Sequence, residues 1–299
     1  MRNCPLCNGT GSGPAFPYQT IWNGKEFNYI KCSKCGTTFV DPLPGDADFS
    51  AIYAKENYHD VYAGEVDPET YKSSIATMVR YSRIGKSLLD FGCGVGGFLR
   101  AAKEMGFQGC GVEYDPKVRE VAGKNAGVPV YSIEELKSTG QKFDIIHLGD
   151  VLEHMAEPKA VMIELQALLA KDGIFFIEGP LQNNASLVYW VASGGKAIKR
   201  KFGADSPGNT APTHLIMTNK KAQMLFFTDI LRYWCIHYEI CETGWPYLSD
   251  STRESSIDTL FKHIIGRLAV IMSKLEVWGD KKIGNRFMGI FRPNSLNNV

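Results

Sequence analysis

Four glycines within six residues, in the stretch SLLDFGCGVGGFLRAA at 87–102, constrain this chain more than any other feature. An apolar run reaches Asp90, turns through Gly92, Gly94, Gly96 and Gly97, and continues with a helical pattern. A strand that turns into a helix on glycines lets a ligand approach the backbone, because no Cβ stands in the way. G-x-G-x-x-G with an acid, Glu113, about twenty residues on also matches a dinucleotide-binding turn. The bare turn therefore leaves NAD and other adenosine-bearing cofactors open. It also admits a plain packing role, a helix seated closely on a strand.

The surrounding pattern sets the fold class. SLLDF, CGVEY, VPVYS, FDIIHLGD and GIFFIEGP read as strands. GGFLRAAKEMG, PKVREVAGKNAG, IEELKSTG and EPKAVMIELQALLAKDG read as the helices between them, the last ending on Gly173. Such alternation predicts an α/β, Rossmann-like fold: a parallel sheet covered by helices on both faces. Residues 181–213 break the rhythm, rich in Gly, Asn and Ser with a basic cluster of Lys196, Lys199, Arg200 and Lys201. A connection this long reads as a lid or binding insertion. Its charges suit either a clamp for an acceptor phosphate or carboxylate, or a solvated loop. Beyond it, TNKKAQMLFFTDILRYW reads as a helix, IHYEICETG as a strand and NRFMGIFRP as a closing strand. SSIDTLFKHIIGRLAVIMSKLEVW is a long amphipathic helix that offers a homodimer face.

The first 45 residues have a different character. They are rich in Gly, Pro and Cys, with FNYIKCSKC and TTFV as short strands and DPLPGD as a closing turn. Cys4 and Cys7 form one CxxC pair and Cys32 and Cys35 a second. Each pair presents two thiolates, and four sulfurs complete a tetrahedral Zn2+ shell with no position left for water. That is the pattern of a structural metal; an iron–sulfur site and a metal-free redox pair are the alternatives. So short a segment has too little core to fold alone, so the metal would supply its stability. The expected organisation is a zinc-binding module at 1–45, a helical connector and acceptor-side cap at 46–84, and a catalytic domain at 85–299 with 181–213 inserted.

The net charge of the 299-residue chain is +1, so no overall field attracts nucleic acid. The N-terminus MRNCPLCNGT lacks an apolar signal core. HIIGRLAVIMSKLEVW, the most apolar late segment, is interrupted by Arg267 and Lys274 and is too short and charged to span a bilayer. A cytoplasmic protein with no membrane span is expected, and its cysteine spacing suits metal before disulfide.

Asp90 stands two residues before the first glycine, giving D-x-G-C-G-x-G. With VEYDP after it and FDIIHLGDVLEHMAEPKAVMIELQALLAKDGIFFIEGP further on, the chain resembles the class I S-adenosylmethionine (SAM)-dependent methyltransferases, LEH triplet included. The resemblance is clear over 87–180 and looser to the closing strand. It implies a seven-stranded sheet and SAM as cofactor. Gly92, Cys93, Gly94 and Gly96 would pass close to the amino-acid and ribose portions, with Cys93 a small filler in the turn. Asp90 would attract the ammonium end, directly or through water. Glu113 would accept from both ribose hydroxyls, a bidentate task suited to a carboxylate. Tyr114 would lie against adenine. Leu148, Gly149 and Asp150 would end the fourth strand at the cofactor's level.

Methyl transfer from a sulfonium requires positioning and, for some acceptors, a base. His154, in the LEH triplet, is the first candidate, as base or as a residue that shapes the loop. His214, at the end of the insertion, is the second. His147, inside an apolar strand, reads as core, and Glu153 as a solvated loop acid or an orienting partner of His154.

The CPLC…C-x-x-CG module, then F-V-x-P, a Tyr-rich helix and this core, is similar to bacterial small-molecule methyltransferases of cell-surface polysaccharide and natural-product pathways. Some of these are sugar C-methyltransferases with an N-terminal zinc-binding domain. The similarity implies a small polar acceptor, sugar-linked or phosphate-bearing, with Tyr53, Tyr58 and Tyr62 lining its pocket or simply packing their helix. The chain ends soon after its closing strand, without the further C-terminal domain of the sugar enzymes. That counts against C-methylation of a nucleotide sugar and leaves O- and N-methylation open. The rivals are an RNA methyltransferase gripping phosphates with a zinc knuckle, and a non-catalytic protein that keeps the fold as an interaction module. The low net charge speaks against the first, the intact glycine turn and Glu113 against the second.

Overall fold

The computed structural model describes residues 2–52, 69–81, 85–244, 257–275 and 283–294. Tyr53, Tyr58 and Tyr62 lie outside them. The chain divides into two compact units: Met1–Leu43 with Pro180–Phe226 and Glu239–Phe287, and Pro44–Gly179 with Phe227–Tyr238 and Met288–Val299.

Three strands open the chain: β1 (Gly11–Trp22), β2 (Lys25–Cys32) and β3 (Thr38–Asp41). Two helices follow, α1 (Asp46–Ile52) and α2 (Glu69–Tyr81). Then strands and helices alternate: β4 (Ser87–Phe91), α3 (Gly97–Glu104), β5 (Gln108–Val112), α4 (Pro116–Ala126), β6 (Val130–Tyr131), α5 (Ile133–Ser138), β7 (Phe143–Gly149), α6 (Pro158–Gln166) and β8 (Leu169–Pro180). The remainder is α7 (Leu187–Lys201), β9 (Ile216–Met217), α8 (Lys220–Met224), β10 (Tyr233–Cys241), α9 (Ile257–Lys274) and β11 (Arg286–Pro293).

The fold is α/β, with a seven-stranded sheet in the order β10-β11-β8-β7-β4-β5-β6. β4 pairs in parallel with both β5 and β7, and β7 with β8. The chain runs outward from β4 in one direction through β5 and β6, then returns to β4's other side with β7. Such a reversal leaves a crevice at the carboxyl ends of the strands, where α/β sheets hold ligands. The central strands are apolar on both faces because helices cover both: Leu88, Leu89, Ile145, Ile146, Phe175 and Phe176 are buried. Phe98, Ala101 and Ala102 of α3 and Ile75 and Met78 of α2 complete the core on one side.

The second sheet, β1-β2-β3-β9, is built on the cysteine-bearing strands. β9 joins it antiparallel to β3, with Phe39 opposite Ile216. Asn183 fastens that junction, its amide donating to Thr38 Oγ1 at 2.8 Å and to the Met217 carbonyl at 3.0 Å.

Three elements differ from the sequence expectation. β1 is a strand although GSGPAFPYQTIW is rich in Gly and Pro; it sits at the sheet edge, where prolines sacrifice no ladder bond, and its register slips around Pro14. The helix expected to run to Gly173 stops at Gln166. Leu169 already pairs with Phe143, and the next partner pair is Ile145 with Ile174. The surplus residues turn out through Asp172, whose φ is +63°, and Gly173, a turn-forming pair that overrides the helical pattern. Residues 187–201, read as part of a loop-like insertion, form a helix that carries the whole basic cluster.

Among the described residues no helix is long and apolar enough to cross a membrane. The start of α4 is set by Asp115, whose Oδ1 accepts from the amides of Lys117 at 2.7 Å and Val118 at 3.2 Å, with Pro116 in the first turn. Asp115→Ala is expected to lower stability by ~0.5–2 kcal/mol, read as a shift of the urea midpoint at unchanged slope.

Candidate functional site

The glycine turn follows β4 in the left-handed region that side chains avoid. Gly94 has φ +52° and no atom within 4 Å of where a Cβ would stand, so its outer side is open to a ligand. Gly96, at φ +84°, seats the start of α3 on α4: a Cβ there would meet the Ala122 carbonyl at 2.8 Å. Cys93 is buried, and burial, then the nearby carboxylate of Asp90, pushes its thiol well above the usual range. It is a protonated filler.

Glu113 stands just past the last residue of β5 with a buried carboxylate. Its Oε2 accepts from the Gly94 amide at 3.0 Å, and its Oε1 from the amides of Tyr114 at 2.7 Å and Asp115 at 3.3 Å. The carboxylate thus joins the glycine turn to the turn after β5 and presents concentrated negative charge between them. Tyr114 is 71% exposed, so its ring is available to cover a flat ligand. The Leu148 side chain is wholly buried in the core, leaving only its backbone at the strand end. A Cβ on Gly149 would meet the His147 ring at 2.8 Å. Asp150 is exposed at φ +53°, a conformation uncommon for a residue with a side chain and tolerated best by Asp and Asn.

Asp90 and His147 form a pair that the sequence did not disclose. They sit opposite each other on β4 and β7, and Asp90 Oδ1 lies 2.7 Å from His147 Nδ1. Nε2 of His147 lies 3.4 Å from Glu178 Oε1, close enough for an ion pair though outside hydrogen-bond geometry. Glu178 Oε2 in turn accepts from Ser74 Oγ of α2 at 2.8 Å. Phe98 stacks on the imidazole at 3.7 Å between centroids, and Phe176 flanks it at 5.3 Å. Burial opposes the imidazolium, but Asp90 first and Glu178 second outweigh it, pushing the pKa up to about 9. His147 is therefore a buried cation at neutral pH rather than an ordinary core histidine. The signal was present as three ionisable residues near the ends of neighbouring parallel strands. It was hidden because strand neighbours are not sequence neighbours. Tyr71 of α2 was also missed; it meets Phe98 edge-on, and burial, then Asp90, Asp150 and Glu178, hold its phenol protonated.

The LEH triplet is a single 3-10 turn, Leu152–His154, in the second unit. Glu153 is buried, not solvated, because the turn folds it inward; its Oε1 lies 3.9 Å from His154 Nε2. His154 is mostly buried, at 13% side-chain exposure. His214 belongs to the first unit, where its Nδ1 meets the Gln182 amide.

The four cysteines converge as their spacing predicts. All are buried, and the sulfurs lie within 4.8 Å of one another, with Cys4–Cys35 at 3.7 Å and Cys7–Cys32 at 3.5 Å. A Zn–S bond of ~2.3 Å places tetrahedral sulfurs roughly 3.8 Å apart, so the donor set fits zinc. Each CxxC closes on a backbone bond, Asn8 amide to Cys4 carbonyl at 2.9 Å and Gly36 amide to Cys32 carbonyl at 3.1 Å. Gly9 lies so close that a Cβ would meet Cys32 Sγ at 3.0 Å.

The strand-end crevice, the glycine turn and the acid just past β5 form the candidate cofactor site. Residues 62–228, more than half of the chain, match the family model described as a methyltransferase domain. The chain belongs to that family, within the class of SAM-dependent methyltransferases. It is 32% identical over 104 residues to a ubiquinone biosynthesis O-methyltransferase of Actinobacillus pleuropneumoniae serotype 5b (strain L20), covering 31% of this chain and 44% of that protein. It is 29% identical over 114 residues to the Coxiella burnetii (strain Dugway 5J108-111) protein of the same name, covering 36% and 49%. The match thus spans less than half the length of these relatives. A SAM-dependent methyltransferase from Archaeoglobus fulgidus aligns with a TM-score of 0.48 at 19% identity, over 79% of this chain and 99% of that one.

The raised His147 pKa links stability to pH. A group protonated more tightly when folded stabilises fully below its unfolded value, about 6.5, and that contribution is lost as pH rises through about 9. Thermal melts should therefore show stability falling between these limits. His147→Gln should be less stable at pH 6.5 and should lose most of that slope.

Proposed function

We propose that the protein transfers the methyl group of SAM to a small polar acceptor, sugar-derived or otherwise, in a cell-surface polysaccharide or natural-product pathway. The observation that carries the reading is Glu113 at the end of β5, bound to the Gly94 amide across an open glycine turn. SAM supplies a methyl group already activated by the sulfonium charge. The remaining work falls to the chain. Gly92, Cys93, Gly94 and Gly96 offer backbone to the amino-acid and ribose portions. Glu113 keeps acceptor capacity for a vicinal diol, and Tyr114 covers the base. Asp90, with one oxygen on His147, directs the other part of its charge toward an ammonium group. Gly149 and Asp150 close the edge at the strand end. His154, backed by Glu153, takes the proton from the acceptor; His214 is the second candidate.

Oxygen is the favoured acceptor atom, since the relatives are named O-methyltransferases. In this reading residues 1–45 form a zinc-binding module, residues 46–84 cap the acceptor side and residues 181–213 are an insertion in the domain at 85–299. Cys4, Cys7, Cys32 and Cys35 hold a structural Zn2+, and the cytoplasm, where thiols stay reduced, suits such a site.

Titrating SAM by calorimetry tests the site. Glu113→Ala should weaken binding by ~1.5–3 kcal/mol, the scale for hydrogen bonds to a charged group. Glu113→Gln, which keeps one acceptor for the turn amides, should fall between. Equal affinity in all three would remove Glu113 from the site. The metal is tested separately: purified protein should carry zinc by elemental analysis, and Cys32→Ser should lose it together with several degrees of thermal stability.

A further inference from the structure

Helices α7 and α9 pack against each other within the first unit, and α9 is amphipathic the wrong way round. Its inward residues are small, with Gly266 and Ala269 buried. Its large apolar residues face out: Leu260, Phe261, Ile264, Leu268, Ile271 and Leu275 are 44% to 65% exposed. Steps of three and four residues keep them on one side of the helix for roughly 22 Å. A soluble domain buries such a stripe, so an outward one marks a docking surface. Exposed Arg267 and Lys274 are interleaved with it, and residues 260–275 contain no acid. α7 repeats the composition. Trp190 and Ile198 are 41% and 61% exposed, Phe202 just past its end is 77% exposed, and Lys199, Arg200 and Lys201 are exposed beside them. It has no acidic residue.

We propose that this helix pair lies on an anionic phospholipid surface, with its apolar side chains at the acyl boundary and its basic ones among the phosphates. Charge decides between this occupant and a second copy of the chain. A two-fold pairing through this face would bring the exposed cations of two copies together, with Asp258 the one acid in the sequence of α9 and none in α7. A bilayer supplies both an apolar layer and the anions. Apolar stripe plus basic flank is the pair of signals that interfacial attachment requires, and no described helix qualifies to span instead. Docking of this kind goes beyond methyl transfer and needs none of the catalytic residues.

The test is flotation of the full-length protein with vesicles of phosphatidylglycerol and phosphatidylcholine, compared with phosphatidylcholine alone. The expected result is co-flotation with the anionic vesicles, release by high salt, and little binding to the neutral ones. Leu268→Glu should lower partition by about tenfold or more, the scale of one aliphatic side chain returned to water. Arg267→Glu with Lys274→Glu should remove the salt-sensitive part, and should Leu268→Glu not fold, Phe202→Ser on α7 replaces it. Absence of flotation, or equal flotation with both vesicle types, overturns the proposal. So does a dimer in light scattering that Leu268→Glu dissociates while vesicles capture nothing.

Discussion

One carboxylate holds the binding end of the large sheet in shape. Glu113 gathers the amides of Gly94, Tyr114 and Asp115, and so ties the turn after β4 to the turn after β5. Charge-assisted bonds of this kind are stronger than neutral ones, and here they act where the ladder between β4 and β5 has ended. They add to the backbone bonds of the turn itself, from the Gly92 and Cys93 amides to the Val112 carbonyl at 2.8 and 3.0 Å, in holding glycines that could take other paths. The group that shapes the turn is also the one to which the proposed function assigns the sugar diol.

Behind that turn lies a second electrostatic device. A charged imidazole is buried under the stacked ring of Phe98, with Phe176 beside it, and is flanked by Asp90 and Glu178. Burying one charge alone would cost several kcal/mol; a cation between two acids, with the Phe98 ring stacked on one face, offsets much of that. The arrangement fixes Asp90 at the end of β4 and connects it, through Glu178, to Ser74 of α2. Three polar contacts thus link α2 to the acid beneath the glycine turn: Ser74 to Glu178, Glu178 to His147 and His147 to Asp90.

The fold was legible because its signals are local. Glycines, caps and apolar runs mark each strand–helix step from 87 to 180, and CxxC spacing marks the four-cysteine cluster. What was not legible depends on contacts between distant residues. No local feature shows that β9 completes the sheet of the cysteine strands, or that His147 of an apolar strand faces two acids. β1 was hidden because an edge strand tolerates the Gly and Pro that ordinarily argue against one. Glu153 was read as solvated because a lone acid in a loop usually is; the tight turn at Leu152–His154 buries it. Within the proposed cofactor seat, Glu113 bonds to the Gly94 amide and Asp150 follows β7, while the Leu148 side chain belongs to the core.

These constraints converge on one claim: the turns at 90–97 and 113–115 enclose a nucleoside that carries no phosphate. A co-crystal structure with S-adenosylhomocysteine tests it most directly. Both ribose hydroxyls should donate to Glu113, and the amino-acid end should run along the glycine turn toward Asp90. A nucleoside bound elsewhere, or a crevice that accepts only a pyrophosphate-bearing dinucleotide on the turn, would contradict it.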